Sequence, residues 1–392
     1  MKRKKDHFLG YVRKDGQVGV RNYLLMLSGT LYANTICERI AQMMPDTIPI
    51  IHPLGRCQVM PDLKMTFKCL VGHGKNPNAG AVIVVDHYKE EGCTADEIAH
   101  EIAKTKKPVA VVNIQRSNGT INATRDCMNY GLDFLRQISD MRREEIHAKN
   151  LLFGVNCGTS DTTSGLSSNL ATGECVDIIV GKGGRALQAE TTEMMGGEEF
   201  VVKKCVNEKV AKKLLKLIRQ REQDAIDAGC DLRGSQPTGD NILGGLSSIE
   251  EKSLGAIKKG GKSKIVGVVG HNDPIGKKSG LYIMDSPGHG GESITGIASA
   301  GSQIMAFSTG GCHTINHPLM ITIRLSGNKK SIQRMESTTE VDVSDMFEGT
   351  TVKEAGRRLY QEVLDTASGK MTKAEILKEY NAFAINRIGP SV

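Results

Sequence analysis

The chain of 392 residues carries 39% apolar residues, 24% charged residues and 44 glycines, a composition that excludes a disordered or fibrous protein. Its length exceeds what one hydrophobic core usually covers, so we expect two domains, residues 1–150 and 151–392. The net charge of +7 favours a small anionic ligand, whereas the aromatic content of 4% and the lack of tryptophan disfavour nucleic-acid binding.

Short β-branched runs alternate with helical patterns along the chain. The predicted strands are 81-AVIVVD, 108-PVAVVNI, 151-LLFGVN, 176-VDIIVG, 264-KIVGVVG and 320-MITIRLS. Helices are predicted in 95-ADEIAHEIAKTKK, 209-KVAKKLLKLIRQREQDAIDAG and 294-ITGIASAGSQIMAF, and the basic 258-KKGGKSK is expected to be an exposed connector. This alternation favours an α/β fold with largely parallel sheets flanked by helices, in which ligands bind beyond the carboxyl ends of the strands.

Ten cysteines are scattered through the chain without a CxxC pair. No apolar run is long enough for a transmembrane helix, and the basic start lacks the apolar segment of a secretory signal. These features favour reduced thiols in the cytoplasm over a disulfide framework or a structural zinc site.

The segment 154-GVNCGTSDTTSG directly follows the apolar residues 151-LLF of a predicted strand, where an α/β fold places its ligand. Its glycines allow close approach of the backbone, and Ser160, Thr162 and Thr163 can donate hydrogen bonds to an oxyanion. An ordinary loop rich in serine, threonine and glycine is the alternative, and composition favours the functional interpretation only slightly.

Two further turns contain arginine beside other polar residues. Arg21 and Asn22 in 19-GVRN, and Arg56 in 52-HPLGRCQ, could bind a carboxylate or a sulfonate. Isolated residues of these types more often have surface or structural roles, so neither turn predicts a site by itself.

Acidic and basic side chains near glycines supply the remaining candidates. Glu190 and Glu193 could hold a divalent metal or act as a base, although a solvated acidic face fits them equally well. Lys252 could be a base or an electrostatic anchor, or simply belong to a charged helix start. The richest loops are 284-MDSPGHGGESITG and 308-STGGCHTINHP, which contain Asp285, Thr309, Cys312 and His313.

A series of ordered motifs runs through nearly the whole chain. It comprises 10-GYVRKDGQVGVRN, 52-HPLGRCQ, 157-CGTSDTTSG, 190-ETTEMMGGEE, 235-SQPTGDNILGGLSSIEEKSLG, 281-LYIMDSPG and 309-TGG. Together these motifs resemble the large catalytic domain of the altronate and galactarate dehydratase family. The segments 87-HYKEEGC and 309-TGGCHTINHP, and Asn156 before Cys157, depart from the dehydratase pattern.

Within this family, 55-GRCQ, 158-GTSDTTSG and 341-VDVS are more similar to the sulfo-lyase branch than to the sugar-acid dehydratases. The resemblance implies β-elimination from a small 2-hydroxy acid, with (2R)-3-sulfolactate giving pyruvate and sulfite. The alternatives are a sugar-acid dehydratase that forms a 2-keto-3-deoxy acid, and a non-catalytic binding subunit. The resemblance also implies Fe²⁺ or another divalent metal, and an oligomer containing a separately encoded small subunit of the SAF type.

Combining the residues with the resemblance assigns a role to each candidate. The expected catalytic residues are Glu193, Lys252 and Ser160. The expected metal ligands are Cys157, Glu190 and Cys312. The residues expected to bind the substrate are Arg21, Asn22, Arg56, Thr162, Thr163, Asp285, Thr309 and His313.

Overall fold

The computed structural model describes residues 4–87 and 91–392, so the centre of the departure at 87-HYKEEGC lies outside the described residues. The strands are β1 (His7–Val12), β2 (Val18–Gly19), β3 (Tyr23–Ser28), β4 (Thr47–Ile50), β5 (Ala79–Asp86), β6 (Val109–Asn113), β7 (Glu144–His147), β8 (Leu152–Gly158), β9 (Arg185–Gln188), β10 (Ile265–Val269), β11 (Gly280–Met284), β12 (Ile304–Thr309), β13 (Ile321–Ser326) and β14 (Val341–Asp342).

Helices fill most of the connections between strands. They are α1 (Asn34–Met43), α2 (Met60–Lys75), α3 (Ala95–Ala103), α4 (Thr120–Ser139), α5 (Thr162–Leu166), α6 (Ser168–Gly181), α7 (Glu198–Val202), α8 (Glu208–Asp227), α9 (Leu232–Ser235), α10 (Gly239–Leu243), α11 (Ile249–Ile257), α12 (Gly290–Ser299), α13 (Lys329–Arg334), α14 (Val352–Ala367) and α15 (Lys373–Ile376). Short 3-10 helices cover Leu31–Ala33, Ala148–Asn150, Thr191–Met194, Lys258–Gly260 and Ser344–Glu348.

Two parallel sheets form the centre of the fold. The first has the strand order β4-β3-β5-β6 and the second the order β10-β11-β9-β8-β12-β13-β14. Every residue of β5 is buried, as expected for a β-branched strand covered by helices on both faces. The predicted α/β fold with largely parallel sheets flanked by helices is therefore confirmed.

Two of the predicted elements are wrong. The run 176-VDIIVG lies in α6 instead of a strand, because a short apolar run cannot distinguish a buried strand from a buried helix. The helix predicted over 294-ITGIASAGSQIMAF ends at Ser299, and its second half enters β12. Gly301, with a φ of +98°, lies in the turn between them.

The segment 258-KKGGKSK also differs from its prediction as an exposed connector. Lys259 and Gly260 are buried, and Lys259 is 0% exposed. A Cβ placed on Gly260 would lie 2.6 Å from Gln188 Oε1, so this backbone packs tightly against the end of β9. The lysine-rich composition suggested a surface, but the fold turns one of these lysines inward.

Segments from each half of the sequence pack into the core of the sheet formed mainly by the other half. Phe8 and Ile146, from a small antiparallel sheet of order β2-β1-β7, pack into the core of the seven-stranded sheet. Ile385, near the C-terminus, packs into the core of the four-stranded sheet. The division at residue 150 stays a prediction.

Among the residues described, no helix has both the length and the apolar character needed to cross a membrane.

A buried pair of histidines connects α2, which packs on the four-stranded sheet, to a loop of the seven-stranded sheet. His73 Nε2 on α2 lies 3.1 Å from His317 Nε2 on the loop after β12. His317 Nδ1 accepts backbone N–H groups of Leu319 and Met320, while His73 Nδ1 bonds to the Cys69 carbonyl. Burial lowers the pKa of His73 to about 4, and burial with the adjacent His73 lowers the pKa of His317 well below its usual value.

We expect this pair to make the fold acid-sensitive. The unfolded chain binds protons below about pH 6.5, whereas the folded chain keeps both rings neutral, so stability falls as the pH drops from 6.5 towards 4. The expected loss from pH 7 to pH 5 is about 2 kcal/mol per histidine in urea unfolding. His317→Gln should reduce this loss and the exposed His100→Gln should not; equal losses in both variants would contradict the prediction.

Candidate active site

An open cleft of about 520 Å³ lies beyond the carboxyl ends of β8, β9 and β12. In the seven-stranded sheet β8 lies between β9 and β12, and the chain visits the β9 side before it crosses to β12. Such a reversal of strand order opens a crevice where open α/β sheets bind ligands.

Three potential metal ligands converge on one wall of this cleft. Cys157 is the last residue but one of β8, Glu190 follows β9, and Glu193 lies in the next 3-10 helix. Their ligand atoms lie within 4.8 Å of one another, and Cys157 Sγ lies 3.1 Å from Glu193 Oε2. Glu190 adopts a left-handed backbone with a φ of +68°, and such strained positions cluster at functional sites.

The fully buried side chain of Lys259 lies behind this wall, in contact with all three ligands. Its Nζ lies 2.6 Å from Cys157 Sγ, 2.9 Å from Glu193 Oε2 and 3.5 Å from Glu190 Oε2. Isolated buried charges are costly, so an ammonium here requires its acidic neighbours. We call Cys157, Glu190, Glu193 and Lys259 the acid–lysine cluster.

The two glutamates of this cluster differ in proton affinity. Burial and the charge of Glu193 raise the pKa of Glu190 above its usual value. Burial also acts to raise the pKa of Glu193, but the Lys259 ammonium overrides it and lowers that pKa. Burial, and then the Glu193 charge, raise the pKa of the Cys157 thiol. Glu193 is therefore the ionised acid of the cluster at neutral pH.

The other walls of the cleft offer groups that can bind an anion. The N-terminus of α12 opens onto it, since Gly288 and Gly290 are among its lining residues, and a helix N-terminus favours negative charge. Lys252 lies on a facing wall, where its Nζ donates to Gln236 Oε1 at 2.8 Å. His313 lines the cleft with its Nδ1 accepting the Ile315 N–H.

The structure thus brings together six of the predicted site residues. They come from four separate chain segments but border one cleft. They are Cys157, Ser160, Glu190, Glu193, Lys252 and His313.

The three predicted residues of the N-terminal half lie elsewhere. Arg21 is buried in an ion pair with Glu375, with Nε–Oε1 at 2.7 Å and Nη2–Oε2 at 2.9 Å. Asn22 bridges Arg13 and the Ile138 carbonyl. Arg56 is exposed on the loop between β4 and α2 and does not line the cleft.

Five predicted residues of the C-terminal half do not line the cleft. Thr162 donates to the Gly244 carbonyl and Thr163 to Asp161, so both fix the loop after β8. The three others lie in other segments of the C-terminal half. They are Asp285, bound to Arg221 and Thr191; Cys312, which accepts from Thr339; and Thr309, whose buried Oγ1 has no hydrogen-bond partner among the described residues.

Residues that the sequence did not single out also shape the site. Lys259 was missed because its basic, glycine-rich surroundings predicted exposure. Asn241 joins a helical segment to the loop after β8 by donating to the Ser160 carbonyl at 3.0 Å. The motif 235-SQPTGDN, which supplies Gln236 and Asn241, was the available signal, although nothing in it indicates which residues face the cleft.

The Arg21–Glu375 pair is expected to support the fold. Glu375→Gln would leave a buried guanidinium without its counter-charge and lower the free energy of unfolding by about 3 kcal/mol. The exposed pair Lys329–Glu348 provides the control, because Glu348→Gln should cost less than about 1 kcal/mol. Urea titration measures both, and a similar small loss in the two variants would contradict the structural role.

Family models match both halves of the chain. One described as D-galactarate/altronate dehydratase, C-terminal, matches residues 148–391. Another, described as D-galactarate dehydratase/altronate hydrolase, second domain, matches residues 10–139.

Individual relatives agree with these matches. The (2R)-sulfolactate sulfo-lyase subunit beta of Chromohalobacter salexigens is 36% identical over 97% of both chains. The altronate dehydratase of Bacillus subtilis is 30% identical over 77% of this chain and 62% of its own. That of Escherichia coli is 26% identical over 97% of this chain and 77% of its own. The chain therefore belongs to the galactarate and altronate dehydratase family and is an enzyme of the lyase class.

Proposed function

We propose that this enzyme eliminates sulfite from (2R)-3-sulfolactate and releases pyruvate. The observation that carries the proposal is an ionised glutamate, Glu193, in a cleft whose other walls bear the Lys252 ammonium and the N-terminus of α12. A doubly anionic three-carbon substrate suits these positive walls, and the relative with 36% identity bears the name of this activity.

The reaction requires a proton to be removed from the carbon beside a carboxylate. We assign this step to Glu193, because it lines the cleft and its contact with Lys259 Nζ at 2.9 Å favours the ionised carboxylate. Lys252 and the N-terminus of α12 hold the acidic groups of the substrate, and His313 and Ser160 close the wall around it. A carboxylate of low pKa is a weak base, so the resulting enolate must be strongly stabilised.

The donor set of the cluster fits a divalent metal. Glu190 Oε2 is buried and accepts no hydrogen bond from the described residues, its contact with Lys259 Nζ being an ion pair at 3.5 Å. A thiolate with carboxylates suits Fe²⁺. Cys157 and Glu190, with Glu193 beside them, would hold the ion. A bound Fe²⁺ would act as a Lewis acid that stabilises negative charge on the substrate.

The proposed enzyme has a partner. The relative from Chromohalobacter is named subunit beta, which implies a second subunit, and we propose a small SAF-type chain in that role. The scattered cysteines support a reducing, cytoplasmic setting for the oligomer.

An assay of released products tests the proposal. The enzyme with its small subunit and Fe²⁺ is incubated separately with (2R)-3-sulfolactate, altronate and galactarate. We expect sulfite and pyruvate in equal amounts from the first and no 2-keto-3-deoxy acid from the others. The opposite result would establish sugar-acid dehydration. This activity is the second candidate, because the cleft has a volume of about 520 Å³ and the altronate dehydratases are relatives.

A further inference from the structure

Lys259 occupies an unusual place for a lysine, among candidate metal ligands. It is 0% exposed, and its Nζ lies within 3.5 Å of an atom of each of Cys157, Glu190 and Glu193. These are the same three side chains whose ligand atoms converge within 4.8 Å. An ammonium therefore supplies the positive charge that a metal ion would otherwise bring to this cluster.

A metal and this ammonium compete for the same acidic atoms. Metal bonds to oxygen and sulfur are about 2.0–2.3 Å long, so an ion held by Cys157 Sγ and Glu190 Oε2 would lie close to Lys259 Nζ. Both are cations in a region shielded from water, where repulsion between like charges is strong. Loading the metal therefore requires these contacts of Lys259 to be broken.

The backbone gives Lys259 little freedom to withdraw. The 3-10 helix Lys258–Gly260 packs against α6, where a Cβ placed on Gly173 would lie 2.2 Å from the Lys258 carbonyl oxygen. On the other side, Gly260 packs against Gln188. Lys259 can therefore leave the acidic atoms only by rotating its side chain. Its Nζ then stays near Cys157, Glu190 and Glu193.

We propose that Lys259 is a positioning residue that competes internally with the metal, holding the acidic cluster together without the ion and weakening the binding of the ion when it enters. This inference rests on the proposed metal-dependent function. Its consequence is a readily exchangeable metal whose affinity Lys259 sets.

Binding of Co²⁺ tests this role without measuring turnover. Co²⁺ accepts thiolate and carboxylate ligands, and its thiolate charge-transfer absorption reports directly on Cys157. The metal-free full-length protein is titrated as the wild type and as Lys259→Met, which removes the charge and keeps most of the length. We expect Lys259→Met to bind Co²⁺ about tenfold more tightly or better, with the same absorption band. Lys259→Arg, which keeps the charge, should bind no more tightly than the wild type.

The outcomes separate this inference from the proposed function. If the wild type shows the band but folded Lys259→Met binds Co²⁺ equally or more weakly, the competition is refuted while the metal site stands. If neither protein shows the band, and Cys157→Ser leaves Co²⁺ binding unchanged, the proposed metal site is wrong. Both proposals that depend on the metal are then refuted. Thermal unfolding checks each variant, and Lys259→Gln replaces Lys259→Met if the latter does not fold.

Discussion

Replacing Glu193 with glutamine is expected to lower kcat by about a thousandfold. The amide keeps the size of the side chain but cannot accept the substrate proton, and it removes the negative charge that pairs with Lys259 at 2.9 Å. Steady-state assays of sulfite release measure the effect. Glu190 Oε2, 3.5 Å from Lys259 Nζ, remains as a counter-charge, so the variant should fold and still bind substrate, and thermal unfolding checks that it does.

The control for this prediction is Glu199→Gln, a change of the same type six residues along the chain at an exposed position. It should retain kcat within about twofold, as expected for a surface substitution. Lys252→Met provides the complementary comparison, since loss of an anion-binding group should raise KM more than it lowers kcat. Turnover of Glu193→Gln close to that of the wild type would refute its assignment as the base.

The convergence of the site could be predicted because it follows from the sheet. Cys157 lies at the carboxyl end of one strand and Glu190 follows the adjacent one, and the carboxyl ends of neighbouring parallel strands meet at one edge. Recognising 151-LLFGVN as a strand and the polar residues after it as a loop was therefore sufficient to place this segment at the candidate site.

The roles of the basic residues could not be predicted in the same way. Arg21 is paired with Glu375, which is 354 residues away, so no local spacing reveals that its charge is already neutralised. Lys259 stands among lysines and glycines that favour a surface, and only the packing of its backbone against α6 turns it inward. Local sequence describes the charge of a side chain but does not identify its distant partner.

Gly173→Ala is expected to disturb the site from outside it. Gly173 lies in the middle of α6, where alanine is normally favourable. Here the added Cβ would lie 2.2 Å from the Lys258 carbonyl oxygen and 2.9 Å from Gly261, which are backbone atoms with little room to move. We expect the free energy of unfolding to fall by about 1–3 kcal/mol, as in other overpacked cores.

A matched control lies in the same helix. At Gly181 an added Cβ would meet no atom within 4 Å, so Gly181→Ala should leave stability unchanged or raise it by up to about 1 kcal/mol. The two variants are compared by urea unfolding and by kcat. Gly173→Ala should also lower kcat, because the backbone that it displaces carries Lys259 into contact with Cys157 and Glu193. Full stability and turnover in Gly173→Ala would mean that this segment can shift without consequence, so the close packing of α6 would not be what positions the lysine.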